Sequence, residues 1–182
     1  MRSIVTGIDQ ERIAAAVREI ITAIGEDGSR EGLLETPRRI AEMYAELFSG
    51  TYQDPRSVLA TGFAEDHKEM VILKNIPFYS LCEHHFLPFH GQAHVGYVPE
   101  GRIVGVSKIA RAIDILARRP QMQERLTSQV ADAIMDGLQP DGVAVVIEAA
   151  HQCMTTRGPQ TPGAVMVTSA IRGGFRRRGV PR

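Results

Sequence analysis

Phe78-Tyr79-Ser80-Leu81-Cys82-Glu83-His84-His85-Phe86-Leu87-Pro88-Phe89-His90 places a cysteine, a carboxylate and three histidines within thirteen residues. A β-rich run, 69–78, leads into this stretch, and a second, 92–98, follows it and ends at the turn Pro99-Glu100-Gly101. Two such runs joined by a short link predict an antiparallel pair, with the reactive residues in the connection where a scaffold can position them. Packing alone does not call for this chemistry, because a buried imidazole or thiolate without a partner costs a few kcal/mol. The chain's second cysteine, Cys153, stands in a similar setting, His151-Gln152-Cys153.

Working outward, Ile13, Ala16, Val17, Ile20, Ile21 and Ile24 fall on one helical stripe, with Asp9 to cap its start and Gly25 to end it. Residues 26–34 read as a polar loop. Thr36-Pro37 reads as a cap followed by proline at the first helical position, and Ile40, Met43, Tyr44, Leu47 and Phe48 make a second stripe. Beyond the strand pair, Ser107 is expected to cap a helix carrying Ile109, Ile113, Leu116 and Ala117. Pro120 is expected to open another, with Met122, Leu126, Val130, Ile134 and Leu138 on one face. Residues 143–149 and 165–169 read as third and fourth strands, and 176–182 as a flexible tail. The order is two helices, then ββααββ. It describes one α+β domain with a helical region at 1–50 and a sheet-bearing region at 51–182.

Composition limits the function classes. With 21 basic and 21 acidic side chains among 182 residues, the chain is formally neutral, so no global field favours nucleic acid or an anionic membrane. An anionic substrate must be held by a local cluster. No apolar segment precedes a small-residue cleavage site, and no run of eighteen apolar residues occurs, which makes a cytoplasmic protein the expectation. Two cysteines in such a compartment suit a metal or a reaction better than a disulfide.

Adjacent residues of an extended chain point to opposite sides, so one of His84 and His85 is expected to face a metal and the other to do something else. His151 and Cys153, two apart at a strand end, are expected to share a face. Cys82, one of the two histidines, and Cys153 form a borderline-soft set suited to tetrahedral zinc. Three protein ligands leave a position for water, the catalytic pattern; His151 as a fourth would make the site structural. Ser107-Lys108-Ile109-Ala110-Arg111 at a helix start could gather phosphate, and Arg157 adds a cation close to Cys153 in sequence. Gln123-Glu124, at the start of the long helix, could accept paired N–H donors such as a guanine edge; the plain alternative is a surface acid favoured by the helix dipole.

Leu81-Cys82-Glu83-His84-His85-Phe86, the run Gly105 to Arg111, the run Arg119 to Thr127, and His151-Gln152-Cys153 with Arg157-Gly158 resemble, in order, the signature segments of GTP cyclohydrolase I. Arg30-Glu31-Gly32-Leu33-Leu34-Glu35-Thr36-Pro37-Arg38-Arg39 extends the resemblance upstream. It implies the tunnelling fold over 51–182, a catalytic domain in which five subunits close their sheets into a barrel and two such rings stack as a homodecamer with sites between subunits. It implies Zn2+ on Cys82, His85 and Cys153, with His84 and His151 as acid-base residues. It also implies Ser107, Lys108, Arg111, Arg157 and Arg39 on the triphosphate of GTP, and Gln123 and Glu124 at the guanine. The implied reaction opens the imidazole ring by hydroxide attack at C8 with N7 protonated, releases formate and forms 7,8-dihydroneopterin triphosphate. Glu83 and His90 have no role in this reading. The chain departs from the family pattern at Ala164 and Met166, at Pro159 and Pro162, and in ending seven residues past Phe175, changes expected to bear on loop shape and assembly. The alternatives are a related purine or pterin enzyme of the same fold, or a binding protein with structural zinc.

Overall fold

The strand pair around the reactive stretch is longer than expected. In the computed structural model, which describes residues 7–177, β2 runs Val71–Cys82 and β3 runs Pro88–Val98. They pair antiparallel from Val71 opposite Tyr97 to Leu81 opposite Pro88. Cys82 is thus the last residue of a strand rather than part of a loop, and only five residues connect the two. The extra length was hidden by Pro77 and Pro88, which end a strand in most contexts, whereas here Pro88 sits at the first position of β3, where proline is tolerated. Asn75, with φ 59°, sits in a bulge between Leu73 and Ile76 where the register shifts, and its N–H donates to His94 Nδ1 at 3.3 Å.

Helix α1, Gln10–Ala23, starts and stops as its sequence dictates. The Asp9 carboxylate accepts the Arg12 N–H at 3.0 Å, and Gly25, at φ 85°, closes the far end with Glu26 N–H on Ile21 O at 3.1 Å. The segment expected as a loop instead contains the one-turn helix α2, Glu31–Leu34, and its last residue leads through Glu35, itself helical, into α3, Thr36–Leu47. Thr36 is therefore already inside the helix and does not cap it. A 3₁₀ turn, Ser49–Tyr52, and a short helix α4, Arg56–Leu59, follow. Leu59 is fully buried against Gly137, where a Cβ would stand 2.8 Å from the Leu59 Cβ, so the glycine is what lets α4 approach. A ribbon of β1, Gly62–Ala64, and β4, Arg102–Val104, was not foreseen, because three-residue strands leave no period to read.

The paired helices between the second and third long strands are α5, Val106–Ala117, and α6, Gln123–Leu138. Neither begins at its expected position. Gly105 is the N-cap of α5, and Ser107 lies within its first turn. Pro120 does not open a helix: Pro120–Gln121 form β5, parallel to the end of β2 with Cys82 opposite Gln121. Strand β6, Gly142–His151, the one-turn helix α7, Gln152–Thr155, strand β7, Met166–Gly173, and α8, Gly174–Arg177, complete the chain. The sheet order is β5-β2-β3-β6-β7, antiparallel apart from the β2–β5 contact. This is a mixed helix-and-sheet fold with the expected ββααββ order. Residues 178–182 of the tail expected to be flexible lie outside the described residues.

One face of the sheet supplies Phe78, Phe89, Val95, Tyr97, Val145 and Ile147 to a core completed by Ile109, Ile113, Leu126 and Ile134 from α5 and α6. The other face leaves Ile72, Tyr79 and Val167 about 60% exposed or more. Among the described residues, β7 has no strand beyond it, and β2 is covered on its outer side only at Leu81 and Cys82. No described helix is long and apolar enough to cross a membrane.

Candidate metal centre

The five-residue link after Cys82 is a tight, hydrogen-bonded turn. Cys82 N–H donates to Leu87 O at 2.9 Å, Phe86 N–H to Cys82 O at 2.8 Å, and Glu83 N–H to Gln121 O at 2.9 Å. Phe86 takes φ 52°, the left-handed region that costs a non-glycine residue roughly 1–2 kcal/mol. Its ring is held by Phe48 and Tyr44, with centroids 5.4 and 6.2 Å away, so the helical region braces the turn.

This turn, together with the end of β6, brings Cys82, His85 and Cys153 together. One ligand atom from each lies within 4.8 Å of the others. Tetrahedral zinc with bonds of about 2.0–2.3 Å places its donor atoms roughly 3.5–3.8 Å apart, so a contraction of about 1 Å would suffice, and the two-thiolate, one-imidazole set matches that ion's preference. Cys82 is buried and Cys153 partly so. Burial, and then the neighbouring Cys82 thiol, push the Cys153 thiol above its ordinary pKa; a cation would reverse the balance by favouring thiolate.

Strand β6 ends at His151 and the chain turns into α7, so the two-residue strand period does not carry over to Cys153. His151 is not in the three-residue group. Its ring stacks on Phe89 at 4.6 Å and 3°, and its Nε2 lies 2.8 Å from Gln123 Oε1. Burial lowers its pKa, opposed by the Glu124 carboxylate, which places Glu124 within electrostatic reach of the ring.

His84 stays exposed beside the group, with Nδ1 3.6 Å from Cys82 Sγ. Arg157 Nη1 lies 3.0 Å from His85 Nε2. Glu83, which sequence left without a role, forms a two-pronged ion pair with Arg125, and its Oε1 lies 3.9 Å from His84 Nε2. Arg125 lowers the Glu83 pKa through its hydrogen bond. Nothing in the sequence marked this pair, because its partners are far apart in the chain. His90 stacks on Tyr79 on the open face of the sheet.

Gln123 requires a correction. It is 1% exposed, its N–H groups are engaged by Ile147 O, Met166 O and Thr168 Oγ1, and its Oε1 faces His151 Nε2, so its side-chain acceptor is already partnered. The signal was present: Gln123 and Thr127 are polar at i, i+4 beside the buried Leu126 and Val130. Glu124 remains exposed at the start of α6. Met166, a departure from the family pattern, contributes only its backbone carbonyl.

Ser107, Lys108 and Arg111 lie elsewhere in the chain. Ala117, at the C-terminal end of α5, accepts the Ser80 hydroxyl at 2.7 Å and so sits near the Cys82 end of β2. Ser107 is ten residues back along that helix, about 15 Å at 1.5 Å per residue. Arg39 is exposed on α3, where its neighbour Arg38 pairs with Glu35 and Glu42.

Comparison with known proteins adds to this geometry. A family model described as GTP cyclohydrolase I matches residues 13–181. A protein named GTP cyclohydrolase 1 from Dehalococcoides mccartyi is 60% identical over 169 residues, 92% of this chain and 89% of that protein. One of the same name from Thermobifida fusca is 62% identical over 172 residues, 93% and 83% of the two chains. Another from Mycobacterium tuberculosis is 58% identical over 176 residues, 96% and 87%.

Proposed function

The chain belongs to the GTP cyclohydrolase I family of enzymes, and from that premise we propose that it hydrolyses the imidazole ring of GTP, releases C8 as formate and forms 7,8-dihydroneopterin triphosphate. The observation that carries this reading is the convergence of Cys82, His85 and Cys153 beside a separately held His151. Those three residues would hold a zinc ion, which would supply hydroxide near neutral pH when bound. With His151 outside the group, the three-ligand pattern favours a catalytic over a structural site.

The chain's own residues have distinct tasks. His151 moves a proton at the purine ring, and His84, exposed beside Cys82, exchanges protons with the ribose or solvent side. Glu124 accepts the paired N–H donors of guanine, which disfavours a base lacking them. Arg157, Ser107, Lys108 and Arg111 hold the triphosphate, with Arg39 a further cation for it. Because α5 carries Ser107 roughly 15 Å from its Cys82 end, whereas Arg157 lies beside His85 of the same chain, Ser107, Lys108 and Arg111 of one site come from a neighbouring copy. The open edges of β2 and β7 support closure of tunnelling-fold subunits (51–182, with 1–50 packed beside them) into a ring, and a stacked homodecamer in the cytoplasm.

Purified protein is expected to carry about one zinc per chain, the ratio that a single three-ligand group predicts. Incubated with GTP, it should release formate and a product that fluoresces as a neopterin after oxidation. Zinc-loaded protein that binds GTP but releases no formate would overturn the proposal. His151→Ala should keep zinc and GTP binding while stopping turnover; loss of the metal instead would make His151 a fourth ligand and the site structural.

A further inference from the structure

Gln123 sits where α6, β6 and β7 meet, and its amide has one possible orientation. Nε2 lies 3.0 Å from Ile147 O, 3.0 Å from Met166 O and 3.1 Å from Thr168 Oγ1, while Oε1 lies 2.8 Å from His151 Nε2. Two of these neighbours are backbone carbonyls, which can only accept. Turning the amide round would set its oxygen against both of them and leave its N–H groups unpaired in a buried site.

The surrounding hydroxyls agree with this orientation. Thr127 Oγ1 donates to Gln123 O at 2.7 Å, so its contact with Thr168 Oγ1, also 2.7 Å, must be one in which Thr168 donates. Thr168 oxygen is then an acceptor for the Gln123 amide. Gln123 Oε1 has no proton, so the proton in its bond with the imidazole belongs to His151. We propose that Gln123 is a positioning residue that holds neutral His151 as the Nε2–H tautomer, with Nδ1 as the unprotonated ring nitrogen. Phe89, stacked face to face, fixes the plane of the ring. Since Met166 and Thr168 belong to β7, the strand at the sheet edge is tied through Gln123 to the orientation of His151.

This assignment rests on the proposed reaction for its consequence but not for its test. Zinc-loaded protein labelled with 15N-histidine, examined by solid-state NMR at a pH where His151 is neutral, should show a protonated Nε2 and an unprotonated Nδ1, the signal being identified by its loss in His151→Asn. A protonated Nδ1, or a metal-bound Nε2, overturns the proposal. Gln123→Met, close in length, should lower kcat roughly 10²-fold, the scale of a misplaced general acid-base group, while KM for GTP stays within about threefold. A raised KM with kcat unchanged would mean that Gln123 holds guanine, and would also overturn it. Should Gln123→Met fail to fold, the spectrum of the unaltered protein decides. An Nε2–H tautomer in protein that leaves GTP intact would sink the reaction and keep the clamp, whereas the opposite tautomer in active protein would sink the clamp alone.

Discussion

Phe86 holds a left-handed backbone at φ 52° one residue after a candidate ligand, and its ring rests on Phe48 and Tyr44. The conformation lies where the chain turns back from His85 into β3, in the turn closed by the Phe86 N–H on Cys82 O and the Cys82 N–H on Leu87 O. Backbone and packing can be separated by substitution. Asn tolerates this region and Val does not, so Phe86→Asn should keep more zinc under chelator competition than Phe86→Val, although Val is the more apolar replacement. The reverse ranking would show that packing alone shapes the turn. At this same scale Cys82, one of two histidines and Cys153 were legible as a candidate metal set, since thiolates and imidazoles are scarce in the chain and carry their chemistry in their identity. The His84 and His85 choice was not legible from residue type; the turn places His85 in the group.

At the scale of elements, the site depends on the ends of β2, β3 and β6 staying aligned. Gly91 pairs with Ala149, and a Cβ there would meet the Glu148 carbonyl and lie 2.7 Å from Ala149 Cα. Gly91→Ala is expected to destabilise the protein by about 1–3 kcal/mol, the usual cost of overpacking, seen as a lower melting temperature. It should also reduce turnover, because Phe89 and His151 are the next pair but one along the same ladder. An unchanged melting temperature would mean that the strands can part without cost. The long helices and strands followed from periodicity, as did the Asp9 cap of α1, but the other helix starts did not. Ser107, Thr36 and Pro120 each fell one to three residues from the true start, because local chemistry allows several starts and the packing of α2 against α3, or of β5 against β2, selects one.

At the scale of the whole molecule, β7 is, among the described residues, an uncovered edge that carries exposed Val167 and follows exposed Val165, and β2 is a second edge open over most of its length. Charge on an edge strand opposes pairing. Val167→Lys should lower the assembly mass measured by light scattering and reduce GTP turnover, with zinc per chain retained. A further check is to mix two inactive chains, Lys108→Met and His85→Ala. If the site is shared between copies, random mixing around a closed ring restores about one site in four, whereas a site within one chain gives no recovery.

What the sequence determined by itself was the long helices and strands, their ββααββ order and the residue types suited to a metal, because these depend on periodicity and on residue type, both local. What only the tertiary structure decided was which groups meet. The Glu83–Arg125 pair and the Gln123 clamp on His151 join residues 42 and 28 positions apart. Ser107 and Lys108, which read in sequence as part of the same site, lie toward the other end of α5. Those placements follow from strand register and helix direction, which no single segment encodes.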